Sequence, residues 1–546
     1  MKANWFDMDM SWDSRTCRLG GAAVNATAAA ALLIVLLMAV LLAAPGHTVS
    51  AKYLNDLMVF LDGGHRVASG QIPHRDFHTP LGALVSLLPA AGLLLTGTLG
   101  AAMPAGVALL MFLLAPVLAH VLSARLRPVL ALPMAVYLSL ILAAPANLGE
   151  GPQVLSFAMF YNRICWVTLS LLLVMWLPPI SGPSPIRDGG SAALLALVTL
   201  YTKASFGLVA LAVLMVMLLS REQRQWAAIA LAATAALTLG LEIMWGLPSG
   251  YIRDLVQTAY ASGAVQGGSA KLLESFADNL FDYGAFALAA ALATFVLRDW
   301  RVVVFLAFCA AAGLLIQNQN FQVSGIVTLA TGAAVAAEAL GRQVQRDHRG
   351  VPPAARAAAF VLLAALLAPT VVGRAAALGT HLWLASTKPA HRFALPRLDR
   401  VVLAETGTAF DTEYSAKYAA TLDDGAGALA LTTSRGPVVV LDFANAFSVG
   451  FGYLPAQGDY LVSMFGRTFD MDHFLAAEII LKNARVVMAP KWGLDPAAVD
   501  AFLNLYAAYL AKNFVEAEGS LYWRIYRRRD DAEAAVSRTG EQNRAR

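Results

Sequence analysis

The chain has 546 residues, of which 58% are hydrophobic and only 14% charged, and its net charge of +4 is spread along the sequence. Apolar runs that recur from Ala26 to Val372 exclude a soluble globular protein and indicate a polytopic membrane protein. No basic face concentrates charge, so no nucleic-acid partner is expected, and the scattered Cys17, Cys165 and Cys309 suggest neither a disulfide framework nor a thiolate metal site.

A polar leader, residues 1–25, carries Lys2, Arg15 and Arg18 and precedes an apolar run at 26–44. Ala43-Ala44 resembles the end of a cleaved signal peptide, but Pro45 is a poor residue to follow a cleavage site, so a retained signal anchor is expected. Further spans are expected at 105–122, 129–144, 164–177, 192–201, 205–219, 226–245, 283–297, 302–316, 321–340 and 357–372. Cytoplasmic loops are rich in Lys and Arg, and this rule decides how to treat one more apolar run, 81–96. If 81–96 lies along the membrane instead of crossing it, Arg125, Arg127, Arg187, Arg221, Arg224, Arg298, Arg301, Arg342, Arg346 and Arg349 all fall inside. The same choice divides 191–219 into two short helices that turn near Lys203. A scheme in which 81–96 crosses and 191–219 is one helix strands Arg125 and Arg127 outside. Both schemes give about eleven spans, a cytoplasmic amino terminus and an external tail.

After Leu395 the texture changes. Residues 437–443 and 485–490 read as buried strands, and 495–514 carries apolar residues at helical spacing. The expected fold is a polytopic α-helical membrane domain over 26–378, followed by a soluble α/β domain over 395–546. The tail, at roughly 150 residues, is long enough to bury its own core. A frayed, arginine-rich end is expected after Arg527.

The densest polar stretch is the loop 45–80, external in either scheme, with Asp56, Asp62, Asp76, His65, His74, His78, Arg66 and Arg75. Gly63-Gly64, Gly70 and Pro73 are expected to break it into short helices and turns, so that Asp56 and Asp76 converge. A carboxylate beside an apolar wall has a raised proton affinity, which suits a general base working near neutral pH. Other readings stay open: Asp56 can cap a juxtamembrane helix, Asp62 can be solvated, and Asp76 can pair with Arg75. His74, Asp76 and His78 offer divalent-metal ligands, although their alternate spacing matches no ligand motif. Lys203 between apolar half-helices either reaches an anion or snorkels, and Trp492 and Trp523 are either core or sugar-stacking residues.

Asp56, Gly70, Pro73, Asp76 and the Pro80-Leu81 start of the next apolar run together resemble the first external loop of GT-C superfamily glycosyltransferases. These polytopic enzymes use polyprenyl-phosphate-linked sugars, as the protein mannosyltransferases and the aminoarabinose transferases of lipid A do. The turn Tyr201-Thr202-Lys203-Ala204-Ser205-Phe206-Gly207 is similar to the Leu-Thr-Lys-Gly type turn of that superfamily, whereas Leu57 stands where a second acid is usual. The resemblance covers about the first two hundred and twenty residues. It implies a membrane glycosyltransferase of a bacterial inner membrane, with a periplasmic tail, acting on a glycan, lipid or protein acceptor. Asp56 is then the general base, with Asp76 beside it. Lys203, Arg163, Arg66, Arg75 and His74 would bind the lipid phosphate. Glu150, Gln317, Asn318 and Asn320, polar and external in the preferred topology, either line a sugar pocket by hydrogen bonding or are ordinary loop polarity. No nucleotide is required, and a metal is at most optional. A transporter or flippase and a non-catalytic assembly subunit are the competing functions.

Overall fold

The computed structural model describes residues 21–180, 182–262, 269–318, 322, 324–346, 352–431, 436–517 and 519–530. The apolar runs become helices. α1 (Gly21–Ala43) leads through strand β1 (Thr48–Ser50) into α2 (Leu54–Ala68) and α3 (Leu84–Thr96). Next come α4 (Leu99–Arg125), α5 (Pro128–Ala143), α6 (Phe160–Val174), α7 (Pro185–Leu200), α8 (Ala204–Met217) and α9 (Arg224–Trp245). α10 (Leu247–Ala261) and α11 (Ser269–Asp278) precede α12 (Leu280–Leu297), α13 (Trp300–Asn318), α14 (Val327–Arg346) and the long α15 (Pro353–Thr387).

Six of these helices, α1, α4, α9, α12, α13 and α15, are long and apolar enough to cross a membrane. α5, α6 and α8 are apolar but only 16, 15 and 14 residues long, and α14 carries Glu338 and Arg342. Length and composition therefore support a multi-pass bundle without fixing the eleven crossings expected. The break at Lys203 is present: α7 stops at Leu200 and Lys203 is the N-cap of α8.

The tail marks one end of the bundle. Strand β2 (Val401–Leu403) pairs in parallel with β1, Thr48 opposite Val401. Both ends of the 13-residue α3 lie at this end: Leu84 N–H donates to the Tyr201 carbonyl beside Lys203, and past its far end the Gly100 carbonyl accepts from Thr48 Oγ1. At the opposite end Arg125 pairs with Asp188 at 3.0 Å, and Glu338 lies between Arg127 at 3.2 Å and Arg342 at 3.1 Å.

The loop at 45–80 differs from the expectation. α2 runs unbroken through Gly63 and Gly64, because those glycines serve packing: a Cβ on Gly63 would stand 2.6 Å from Ser86 Oγ, and one on Gly64 3.0 Å from the Pro89–Ala90 backbone of α3. Glycine inside a helix costs about 1 kcal/mol relative to alanine, and close helix–helix contact offsets that cost.

The tail continues with α16 (Ala409–Ala430), β3 (Val438–Val440), α17 (Phe447–Phe451), α18 (Ala477–Ile480), β4 (Val486–Pro490), α19 (Pro496–Asn513), β5 (Phe514–Ala517) and β6 (Trp523–Arg528). The sheet order is β3-β4-β6-β5, with β3 and β4 parallel and the other pairs antiparallel. The strands expected at 437–443 and 485–490 are β3 and β4, and the expected helix is α19, capped by Asp495 with Pro496 in its first turn. Trp523 is buried against Phe447 and belongs to the core. β6 keeps Arg528 in register with Phe514, and the rest of the end expected to fray lies, after Asp530, outside the described residues.

Candidate functional site

Asp56 sits in the first turn of α2, where the helix dipole favours a carboxylate. The apolar residues Leu57, Met58, Phe60 and Leu61 hold the helix in the protein. One turn on from Asp56, Phe60 packs edge-on against Phe160 at 4.9 Å and Tyr161 at 6.3 Å, which brings the start of α6 beside the acid. Burial pushes the Asp56 carboxyl up to about 7, and its one hydrogen bond is a 3.1 Å donation from the Asn55 amide.

Lys203 approaches the same place from the α7–α8 turn. Its ammonium donates to Asn162 Oδ1 at 3.2 Å and lies 5.2 Å from the centre of the Tyr161 ring. The turn is held by the Thr202 and Tyr201 carbonyls, which accept from Gly82 and Leu84 N–H groups at 3.0 and 2.9 Å. A Cβ on Gly82 would meet the Tyr201 oxygen at 2.1 Å, and one on Gly207 would stand 2.7 Å from Leu200 Cα. The glycines of both motifs thus allow close backbone approach. Arg467, from the tail, acts electrostatically on both Tyr161 and Lys203, and Asp56 acts on Tyr161. Asp56, Tyr161, Lys203 and Arg467 are each only partly exposed, and these electrostatic links place them near one another where bundle and tail meet.

The tail supplies the outer wall. Asp56 acts on Tyr414 and Tyr418 of α16, and so does Asp442. Asp442 accepts from the Leu494 and Asp495 N–H groups at 2.9 and 3.1 Å, and burial pushes its carboxyl up to about 6. Trp492 is partly exposed, 5.7 Å from Tyr414 and 4.4 Å from the Lys417 ammonium. Phe410, 73% exposed, stacks on Tyr414 at 6.0 Å. Unlike Trp523, Trp492 lies at the mouth of the cleft.

Other residues singled out from the sequence are engaged elsewhere. Asp76 does not meet Asp56, since the length of α2, about 20 Å by helical rise, separates them. Its carboxylate bonds Arg75 at 2.8 Å and the Ile72 N–H at 2.8 Å, which turns it away from chemistry and occupies Arg75. Arg66 is fully buried between Asp62 at 2.7 Å and Asp459 at 2.6 Å, a clamp joining α2 to the tail. His74 and His78 donate through Nδ1 to opposite oxygens of the Asp254 carboxylate, each at 2.8 Å. Although burial raises it, hydrogen bonds from these two imidazoles bring the Asp254 carboxyl below its usual range. Asp254, not Asp76, thus joins His74 and His78, and among the described residues no group of three His, Cys, Asp or Glu side chains is arranged to hold a metal ion.

Arg163 is buried at the start of α6, where it donates to the Ala144 carbonyl and lies over Phe157, so it does not snorkel. Glu150 accepts from Lys52 at 3.1 Å and from Asn147 at 3.0 Å. The Gln317 amide holds the Gln322 carbonyl at 2.9 Å, Asn318 is buried beside it, and Asn320 lies outside the described residues. Sequence reading missed Tyr161, Asn162, Arg467, Tyr414 and Asp442. Tyr161-Asn162 directly precedes Arg163 and was findable as part of one polar triplet at a span end. Arg467 and Asp442 carry no local signal, because folding alone brings the tail over α2.

Comparison with known proteins gives no match: no family model, curated protein or solved structure aligns with this chain significantly. The chemistry must be read from the cleft. A carboxyl that ionises near neutrality can take a proton from a hydroxyl, and a nearby ammonium and guanidinium suit an anion.

Proposed function

We propose that this chain is a membrane glycosyltransferase that moves a sugar from a polyprenyl-phosphate carrier to an acceptor hydroxyl on the tail side of the membrane. The observation that carries the reading is Asp56, raised to about 7 by burial and acting on Tyr161 together with Arg467, which also acts on Lys203, at the tail-facing end of an apolar bundle. In this reading the acceptor hydroxyl gives its proton to Asp56 as its oxygen attacks the anomeric carbon. The bond from that carbon to the phosphate oxygen breaks, and the electron pair leaves with the lipid phosphate. Lys203 and Arg467 stabilise that charge, and the polyprenyl chain lies against the apolar helices. The acceptor enters past Tyr414 and Trp492. The eleven-span scheme, a bacterial inner membrane, a cytoplasmic amino terminus and a periplasmic tail belong to the same proposal.

The test is Asp56→Asn in purified protein reconstituted with a polyprenyl-phosphate sugar and a lipid extract as acceptor source. Release of polyprenyl phosphate should fall a hundredfold or more, as expected on losing a general base, with melting intact. Near-normal turnover in the folded variant would remove Asp56 from the mechanism and the proposal with it.

A further inference from the structure

The opposite end of the bundle carries a second site. Between α5, α14 and α15 lies a cavity of about 400 Å³, walled by Val129, Leu340 and Phe360 and by the side chains of Arg127 and Arg356. Arg127 spends its Nε and its backbone N–H on Glu338 Oε2, at 3.2 and 3.1 Å, which leaves both Nη groups without a hydrogen bond to any described residue. Its guanidinium lies over Gly341, where a Cβ would stand 1.5 Å from Nη2, so the arginine reaches the cavity only because α14 has no side chain there. Arg356 is exposed in the first turn of α15, and its guanidinium makes no hydrogen bond or ion pair with the described residues.

The carboxylates paired nearest the cavity are engaged: Asp188 by Arg125 and His120, and Glu338 by Arg127 and Arg342, which leaves neither committed to Arg356 among the described residues. We propose that this cavity binds the headgroup phosphate of an anionic phospholipid in the leaflet away from the tail, between Arg127 and Arg356, with an acyl chain along the apolar wall. Basic pockets between membrane helices hold such headgroups through charge-assisted hydrogen bonds. The half-exposed Val129 and Phe360 beside the arginines favour a lipid over a free phosphate ion.

Native mass spectrometry of the full chain, released from detergent with added phosphatidylglycerol, phosphatidylcholine or inorganic phosphate, tests this. Phosphatidylglycerol adducts should exceed phosphatidylcholine adducts on the wild type. Arg356→Gln, at an exposed position, should lower phosphatidylglycerol occupancy about fivefold and leave melting unchanged, the loss expected for one arginine at an anionic surface. Gly341→Leu should lower it as well by displacing Arg127, and Arg356→Lys should restore part of it. Equal occupancy of the two lipids, or unchanged phosphatidylglycerol binding in Arg356→Gln, overturns the site. Competition by inorganic phosphate at equal concentration would overturn its assignment to a lipid.

Discussion

The two ends of the bundle treat charge in opposite ways. Away from the tail, Arg125 of α4 pairs with Asp188 of α7 at 3.0 Å and Arg127 with Glu338 of α14 at 3.2 Å, contacts that tie elements together, while Arg342 pairs with Glu338 inside α14 at 3.1 Å. At the tail end, Asp56 and Arg467 both act on Tyr161, Arg467 also acts on Lys203, and burial holds the Asp56 carboxyl near neutrality. The contrast recurs within α2. Six residues beyond Asp56, Asp62 is locked to Arg66, and Arg66 to Asp459. Two carboxylates of one helix thus sit in different settings, Asp62 in a closed ion pair and Asp56 with a raised proton affinity.

The largest effect should come from the locked half of α2. Arg66→Met leaves Asp62 and Asp459 buried without a counter-charge, and breaking a buried pair from one side costs about 3–5 kcal/mol. Thermal melting should drop sharply, and replacing all three residues by apolar ones should recover most of the loss. A melting temperature unchanged by Arg66→Met would mean that the clamp does not hold the tail.

The poised half should answer to pH. Below about 7 the Asp56 carboxyl is protonated and cannot accept a proton, so turnover should fall about tenfold per unit and reach roughly one hundredth of its plateau at pH 5. Stability carries the opposite sign. Burial raises the folded-state value above the unfolded one, so the protonated acid favours the fold, fully below the unfolded value near 3.8, and that contribution is lost as pH rises through about 7. Asp56→Asn, which cannot ionise, should therefore melt like the wild type at pH 4 and higher than the wild type at pH 8. Because Asp62 and Asp442 are raised to about 6, the difference between variant and wild type isolates Asp56. Equal melting at pH 8 would show that water reaches Asp56 freely.

Much of this contrast was legible in the sequence. Apolar periodicity marked the helices, the arginine bias gathered Arg125, Arg127 and Arg342, and Lys203 betrayed the α7–α8 break because an ammonium is costly inside an apolar run. The polar loop misled because Gly63-Gly64 reads as a breaker, whereas the rule for isolated chains yields to close packing against Ser86 and Pro89. Asp56 and Arg66 looked alike as exposed loop charges. Only Asp459, nearly four hundred residues away, separates the clamp from the site, and no local pattern carries that information.

A smaller effect should follow at Lys203. Lys203→Met keeps length and apolar bulk and removes the charge, so polyprenyl-phosphate affinity in nanodiscs should weaken about tenfold, within the range for a hydrogen bond to a charged group. Arg163→Met should weaken it less, because that guanidinium is buried against Ala144 and Phe157. Unchanged affinity in Lys203→Met would make Lys203 a strut for Asn162 and return the tail-facing end to the structural role of the opposite one.

The mildest change tests where the cleft ends. Trp492 packs against Tyr414 and Lys417 of the tail, and in the proposed reading it meets the acceptor and not the lipid phosphate. An aromatic contact is worth about 0.5–1.5 kcal/mol beyond its buried area, and Trp492→Ala should therefore raise the acceptor KM about fivefold. Donor affinity should hold, and melting should change little because Trp492 is partly exposed, whereas Trp523→Ala should unfold the tail through loss of its contact with Phe447. A loss of donor affinity in Trp492→Ala would place the lipid phosphate on the tail side of Tyr414, and Lys203 would then no longer be its partner.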